Sequence, residues 1–68
     1  MNLSTAIKKE MERQSITQSE LSRLLKQDRQ TINKHLKNWN NGKIPTIPLL
    51  KKWCTALKCD YKKFLQYM

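Results

Sequence analysis

Apolar residues recur along this chain at helical intervals, and nowhere do they alternate with polar ones over the length of a strand. Leu3, Ile7 and Met11 lie four apart and predict an amphipathic helix over residues 3–14, with Ser15 ending it. Thr17, Gln18, Ser19 and Glu20 read as a capping box, Thr17 at the N-cap and Glu20 reaching back to the N-cap amide, flanked by Ile16 and Leu21 as a hydrophobic staple. Leu21, Leu24 and Leu25 then form the buried stripe of a short second helix. It stops near Lys26 or Gln27, because Asp28 is a natural cap for a third helix starting at Arg29.

In that third helix Ile32, His35 and Leu36 fall on one side, while Gln30, Asn33, Lys34 and Lys37 follow helical spacing on another, with Arg29 one turn before Asn33. The outward side is all donors and cations. Residues 38–45, Asn-Trp-Asn-Asn-Gly-Lys-Ile-Pro, carry turn chemistry and predict a loop. Whether the third helix runs on through Trp39 stays open on spacing alone. Thr46 caps a fourth helix that tolerates Pro48 in its first turn and repeats Leu50, Trp53, Cys54 and Leu57 at helical intervals. Asp60 caps a last short helix, with Cys59 and Phe64 at the staple positions and Tyr61, Phe64 and Leu65 packing back.

Composition fixes the class. Valine is absent and glycine occurs once, so the expectation is an all-α fold: one domain over residues 1–68, a compact bundle of about five short helices. A chain of 68 residues recovers only about 60% of its unfolded surface on folding, which leaves little stability for a deep, dry active site. No paired carboxylates, nucleophile-base pair or metal cluster appears, so no enzyme, cofactor, metal site or small-molecule ligand is expected. The longest apolar run is two residues, which excludes a membrane span or signal-peptide core here.

Charge points to the partner. Fourteen Lys and Arg against five Asp and Glu give a net charge of +9. The excess is uneven: residues 1–22 are neutral, residues 23–43 carry +5 and residues 44–68 carry +4. Nucleic acid is the commonest partner for a small domain of this charge, and an anionic membrane is the competing one. Cys54 and Cys59 are too few for a disulfide scaffold and lack zinc spacing, so both read as small buried apolar residues of a cytoplasmic protein. His35 reads as a packed residue rather than a ligand or base, and Trp53 as core. Trp39 either covers the junction between the third and fourth helices or is an exposed anchor for a partner.

A helix, a tight turn and a second helix with a cationic outer face suit the major groove, which admits one helix and presents donors and acceptors on its base edges. At these residues the chain resembles the phage-repressor and Cro type (lambda-repressor-like) of helix-turn-helix DNA-binding family. TQSELSRLLKQDRQTINKHL looks like that family's motif, and LLKKWCTALKCDYKKFL like its closing two helices. The likeness runs from Ile7 to Leu65. The chain departs from the family in the turn, where Lys26 and Gln27 stand in place of Gly and an apolar residue. Lys26 must then take a left-handed or adjusted backbone at a cost of roughly 1 kcal/mol. Met11 stands nearest the place where many members have an Arg that pairs with the equivalent of Glu20, which leaves Glu20 as a cap alone.

The resemblance implies that Arg29, Gln30, Asn33 and Lys34 face base edges, where Arg or Lys can donate to guanine and Gln or Asn can both donate to and accept from adenine. It implies a phosphate contact for Gln18, beside the free amides of the second helix, with Asn41, Lys43 and Lys37 meeting the backbone on the other side of the groove. The function it implies is a sequence-specific transcriptional regulator, a Cro-like or small repressor protein of a phage or mobile element, acting on a double-stranded operator. With no further domain in the chain, regulation would work by occupancy. A homodimer, formed in solution or only on DNA, is expected by resemblance. Tyr67 and Met68 beside Phe64 and Leu65 offer an apolar C-terminal edge for it. Two other readings stand beside this one. One is a protein-interaction module, an antirepressor or antitoxin gripping an acidic partner, and the other is a nonspecific nucleic-acid binder with salt-sensitive affinity.

Overall fold

Every helix of the protein begins on a side chain that accepts a hydrogen bond from its own first turn. The computed structural model describes residues 2–68. In it α1 (Leu3–Arg13), α2 (Gln18–Leu25), α3 (Arg29–Asn40) and α4 (Ile47–Ala56) precede a closing 3₁₀ helix, Tyr61–Tyr67. Asn2 Oδ1 accepts from Thr5 N at 2.9 Å, Thr17 Oγ1 from Glu20 N at 3.1 Å and Asp28 Oδ1 from Thr31 N at 2.7 Å. Thr46 Oγ1 accepts from Leu49 N and Asp60 Oδ1 from Lys62 N. Each cap satisfies one of the amides that a helix start leaves without a partner. Asn2 was not foreseen as a cap, although it stands immediately before the first apolar residue. The Glu20 half of the expected capping box is not used: its carboxylate stays exposed.

The four α-helices end alike. After α2, Gln27 N donates to Ser22 O and Lys26 N to Arg23 O, with Lys26 left-handed at φ 55°. The same pair of bonds closes α1 at Ser15, α3 at Gly42 and α4 at Lys58, with φ of 57°, 94° and 55°. This is the Schellman termination, which favours glycine at the left-handed position. Only α3 has one. The left-handed Lys26 anticipated from the missing turn glycine is therefore what the chain adopts.

α3 forms the centre, packed against α1 and α2, while α4 packs on α2 and the closing helix on both α1 and α4. The core draws Leu3, Ile7 and Met11 from α1, Leu21 from α2, Ile32, Leu36 and Trp39 from α3, and Leu50, Trp53, Cys54 and Leu57 around α4, with Phe64 closing it. The radius of gyration is 10.7 Å, against about 11 Å for a compact chain of this length. No strand occurs among the described residues, and no helix is long and apolar enough to cross a membrane.

Three expectations need correction. α3 does not stop at Asn38: it runs to Asn40, and the connection shortens to residues 41–46. The cause is Trp39, buried at 3% exposure, stacked on His35 at 5.5 Å and meeting Trp53 edge-on at 4.7 Å. Burial of an indole outweighs the poor helix propensity of the flanking asparagines. Trp39 is thus a junction residue and not an exposed anchor. Leu24 is 54% exposed and so stands outside the buried stripe assigned to it. Leu65 is exposed as well, because the last helix is 3₁₀: three residues per turn align Tyr61, Phe64 and Tyr67 against the core and turn Leu65 away. Tyr67 and Met68 pack on the molecule's own core, which leaves Leu65 as the apolar part of the C-terminal edge.

Candidate nucleic-acid interface

Ile32, Leu36 and Trp39 fix which way α3 faces. With those three buried, Arg29, Gln30, Asn33, Lys34 and Lys37 are all exposed on its outer side. Asp28 starts the helix, and its hydrogen bonds from Thr31 hold its carboxyl below the usual range. Arg29, Gln30 and Asn33 line an open depression of about 510 Å³ together with Gln18 from the start of α2. Sequence alone does not bring Gln18 to the same concavity as the three α3 residues; the angle between α2 and α3 does. Lys34 lies outside that depression.

The other expected contacts follow α3 away from it. Lys37 lies two turns beyond Gln30, Asn41 caps the helix and Lys43 follows the Gly42 turn, all three exposed. Asn2 Nδ2 donates to Asn40 O at 3.2 Å and Asn40 Oδ1 at 3.1 Å, which fastens the end of α3 to the start of α1. Among the described residues the salt bridges involve only Arg13 and Lys63, both with Glu10. Arg29, Lys34, Lys37 and Lys43 therefore meet no carboxylate within salt-bridge distance and keep their charge for an external anion.

A family model described as the Cro/C1-type HTH DNA-binding domain matches residues 6–68. The chain belongs to that family. No curated protein and no solved structure matches it. The Cro/C1-type assignment makes this a double-stranded-DNA-binding domain of a non-enzymatic family, with α2 and α3 as its helix-turn-helix. Its turn passes through the left-handed Lys26 and leads directly into the Asp28 cap.

The thiols take no part in this surface. Cys54 is buried and its thiol is pushed up to about 12, chiefly by burial, and Cys59 is raised for the same reason. Among the described residues no group of three His, Cys, Asp or Glu could hold a metal ion. One feature of the charge layout escaped sequence reading. Glu10 is 4% exposed and gathers Arg13, Gln14 and Lys63. The signal was available, since Glu10 stands three residues after Ile7 on the buried face of α1.

Proposed function

We propose that this Cro/C1-type domain is a sequence-specific transcriptional regulator, a Cro-like or small repressor protein of a phage or other mobile element, with α3 in the major groove of its operator. Arg29, Gln30, Asn33 and Lys34 contact base edges in this reading, and Gln18, Lys37, Asn41 and Lys43 hold the flanking phosphates. The observation that carries it is the shared depression of Gln18, Arg29, Gln30 and Asn33: amide and guanidinium donors converge there on an exposed helix with no carboxylate lining it. Amide side chains can read adenine and the guanidinium can read guanine, while Gln18 fixes register from a helix N-terminus. Two copies on a two-fold operator would double the readout, with the domain acting in the cytoplasm.

Selection of bound duplexes from a randomised library at about 150 mM salt tests the reading, because that ionic strength suppresses loose phosphate binding. The expected result is an enriched motif that weakens or changes for the double variant Gln30→Ala, Asn33→Ala. Recovery of unenriched DNA would overturn sequence specificity. An unchanged motif in the double variant would overturn the assignment of α3 as reader.

A further inference from the structure

At the opposite end of α2 from Gln18 lies a second, larger depression of about 930 Å³, sharing no residue with the first. Its floor is apolar: Leu24 and Leu25 from the end of α2, Pro48 and Ala56 from α4. Leu24 is 54% exposed at its edge, an unpartnered leucine on a chain that buries most of its others. Around this floor stand Lys26, Lys51, Lys52 and Lys58, and no Asp or Glu lines the groove. None of these four lysines takes part in a salt bridge among the described residues.

We infer that the groove between α2 and α4 docks an acidic segment of a partner protein, one that sets a large apolar side chain on Leu24 and Leu25 while its carboxylates meet the lysine rim. The two chemistries of the site select this occupant. A duplex would meet the rim with its phosphates, but its base faces are stacked inside the helix and leave a floor of leucine, proline and alanine uncovered. A second copy of this chain would satisfy the floor but bring the same lysines, on a molecule of net charge +9, against the rim. A membrane surface is engaged by an extended set of protruding apolar side chains, whereas here only Leu24 and Pro48 of the floor are exposed. An amphipathic helix with an acidic polar face meets both requirements at once, in the manner of helix-in-groove recognition. α2 is eight residues long, roughly 10 Å between the Cα atoms of its first and last residues, so the groove and the Gln18 depression sit on one short helix without overlapping. A partner seated there leaves the outer face of α3 free. The domain can therefore bind a protein and a duplex together.

The probe is a labelled peptide of about 14 residues, rich in Asp and Glu, with three leucines on one helical face. Its control carries serines in place of the leucines at the same charge. Titration into the full chain is followed by amide chemical shifts and fluorescence anisotropy at about 150 mM salt. The expected result is shifts at Leu24, Gln27 and Ala56 with Gln30 and Asn33 unmoved, and binding about 10-fold weaker for the serine peptide. The variants Leu24→Gln and Lys52→Gln, both at exposed positions, should each weaken the leucine peptide several-fold while leaving thermal unfolding and duplex binding unchanged. The inference is overturned by equal binding of both peptides, by shifts centred on Gln30 and Asn33, or by no binding at about 1 mM peptide. It is equally overturned if the groove amides shift with protein concentration alone, or with anionic phosphatidylglycerol vesicles and not with the peptide. Duplex selection is read separately, so loss of the groove reading leaves the DNA reading standing, and the converse holds.

Discussion

Lys63 Nζ donates to Glu10 Oε1 across 2.5 Å, joining the closing 3₁₀ helix to α1. The carboxylate is buried and its other oxygen accepts from Arg13 Nε at 2.7 Å and Gln14 Nε2 at 3.0 Å. Gln14 Nε2 also donates to Leu57 O at the end of α4, so Glu10 organises three elements around one charge. Hydrogen bonds from Lys63 first, then Gln14 and Arg13, lower its pKa from 4.5 to about 2 against the opposing effect of burial.

Glu10 should therefore make the fold acid-sensitive. Its folded-state pKa lies below the unfolded value, so its contribution is complete above about pH 4.5 and is lost as pH falls toward 2. Replacing Glu10 by Gln should cost about 2 kcal/mol at pH 7, less than a fully buried pair because Arg13 and Lys63 keep contact with water. Urea unfolding of both proteins from pH 7 to pH 2 checks this: the two midpoints should converge in acid.

The helix ends can be strengthened. Ser15→Gly and Lys58→Gly relieve left-handed strain at φ 57° and 55°, and each should add about 1 kcal/mol, or roughly 4–8 °C in Tm. Gly42→Ala should do the reverse. A Cβ at Gly42 meets nothing within 4 Å, so its cost comes from the φ of 94° and not from a clash. Calorimetry on the three variants separates the effects.

Trp39 belongs to the folding core. Trp39→Ala removes the ring between His35 and Trp53 and should cost about 3–5 kcal/mol, enough to unfold much of so small a domain. Trp39→Phe should keep the fold with a lowered Tm. An alanine variant with an unchanged thermal transition would contradict this role.

On DNA, the two classes of contact should separate by salt. Lys37→Ala and Lys43→Ala should weaken binding to all duplexes and each reduce the salt slope by about 1. Asn33→Ala should cost about 1–3 kcal/mol on the preferred duplex and little on others. Anisotropy titrations at several salt concentrations distinguish the two patterns.

The thiols should be inert in the folded protein. With Cys54 pushed up to about 12 and Cys59 also raised, both stay protonated near neutral pH. Alkylation should be slow in buffer and fast in denaturant, Cys54 the slower because it is buried.

Features set by neighbours in sequence were readable before the fold. Thr17, Asp28, Thr46 and Asp60 announce helix starts because a cap needs only the next two or three amides. The outer face of α3 was readable for a related reason, as the complement of Ile32 and Leu36 on one helical wheel. What failed depended on distant residues. Trp39 looked like part of a turn until Trp53 supplied its packing surface, and Leu65 looked buried because a spacing of 3.6 was assumed where the chain uses three. Leu24 stands at a helical position that spacing alone assigns to the core, and instead it borders an open groove. The meeting of Gln18 with Arg29, Gln30 and Asn33 depends on how α2 is held against α3, which no local pattern encodes.

The division of α3 also bears on how such a protein can change. Ile32, Leu36 and Trp39 hold the helix in place, while Arg29, Gln30, Asn33 and Lys34 touch nothing the fold relies on. On the proposed reading, stability and sequence preference lie on opposite sides of one rod. Substitution at the outward positions leaves the inward ones undisturbed, so if those positions read the duplex as proposed, a lineage could retarget this shaft by recutting its teeth without remaking the bearing that carries it.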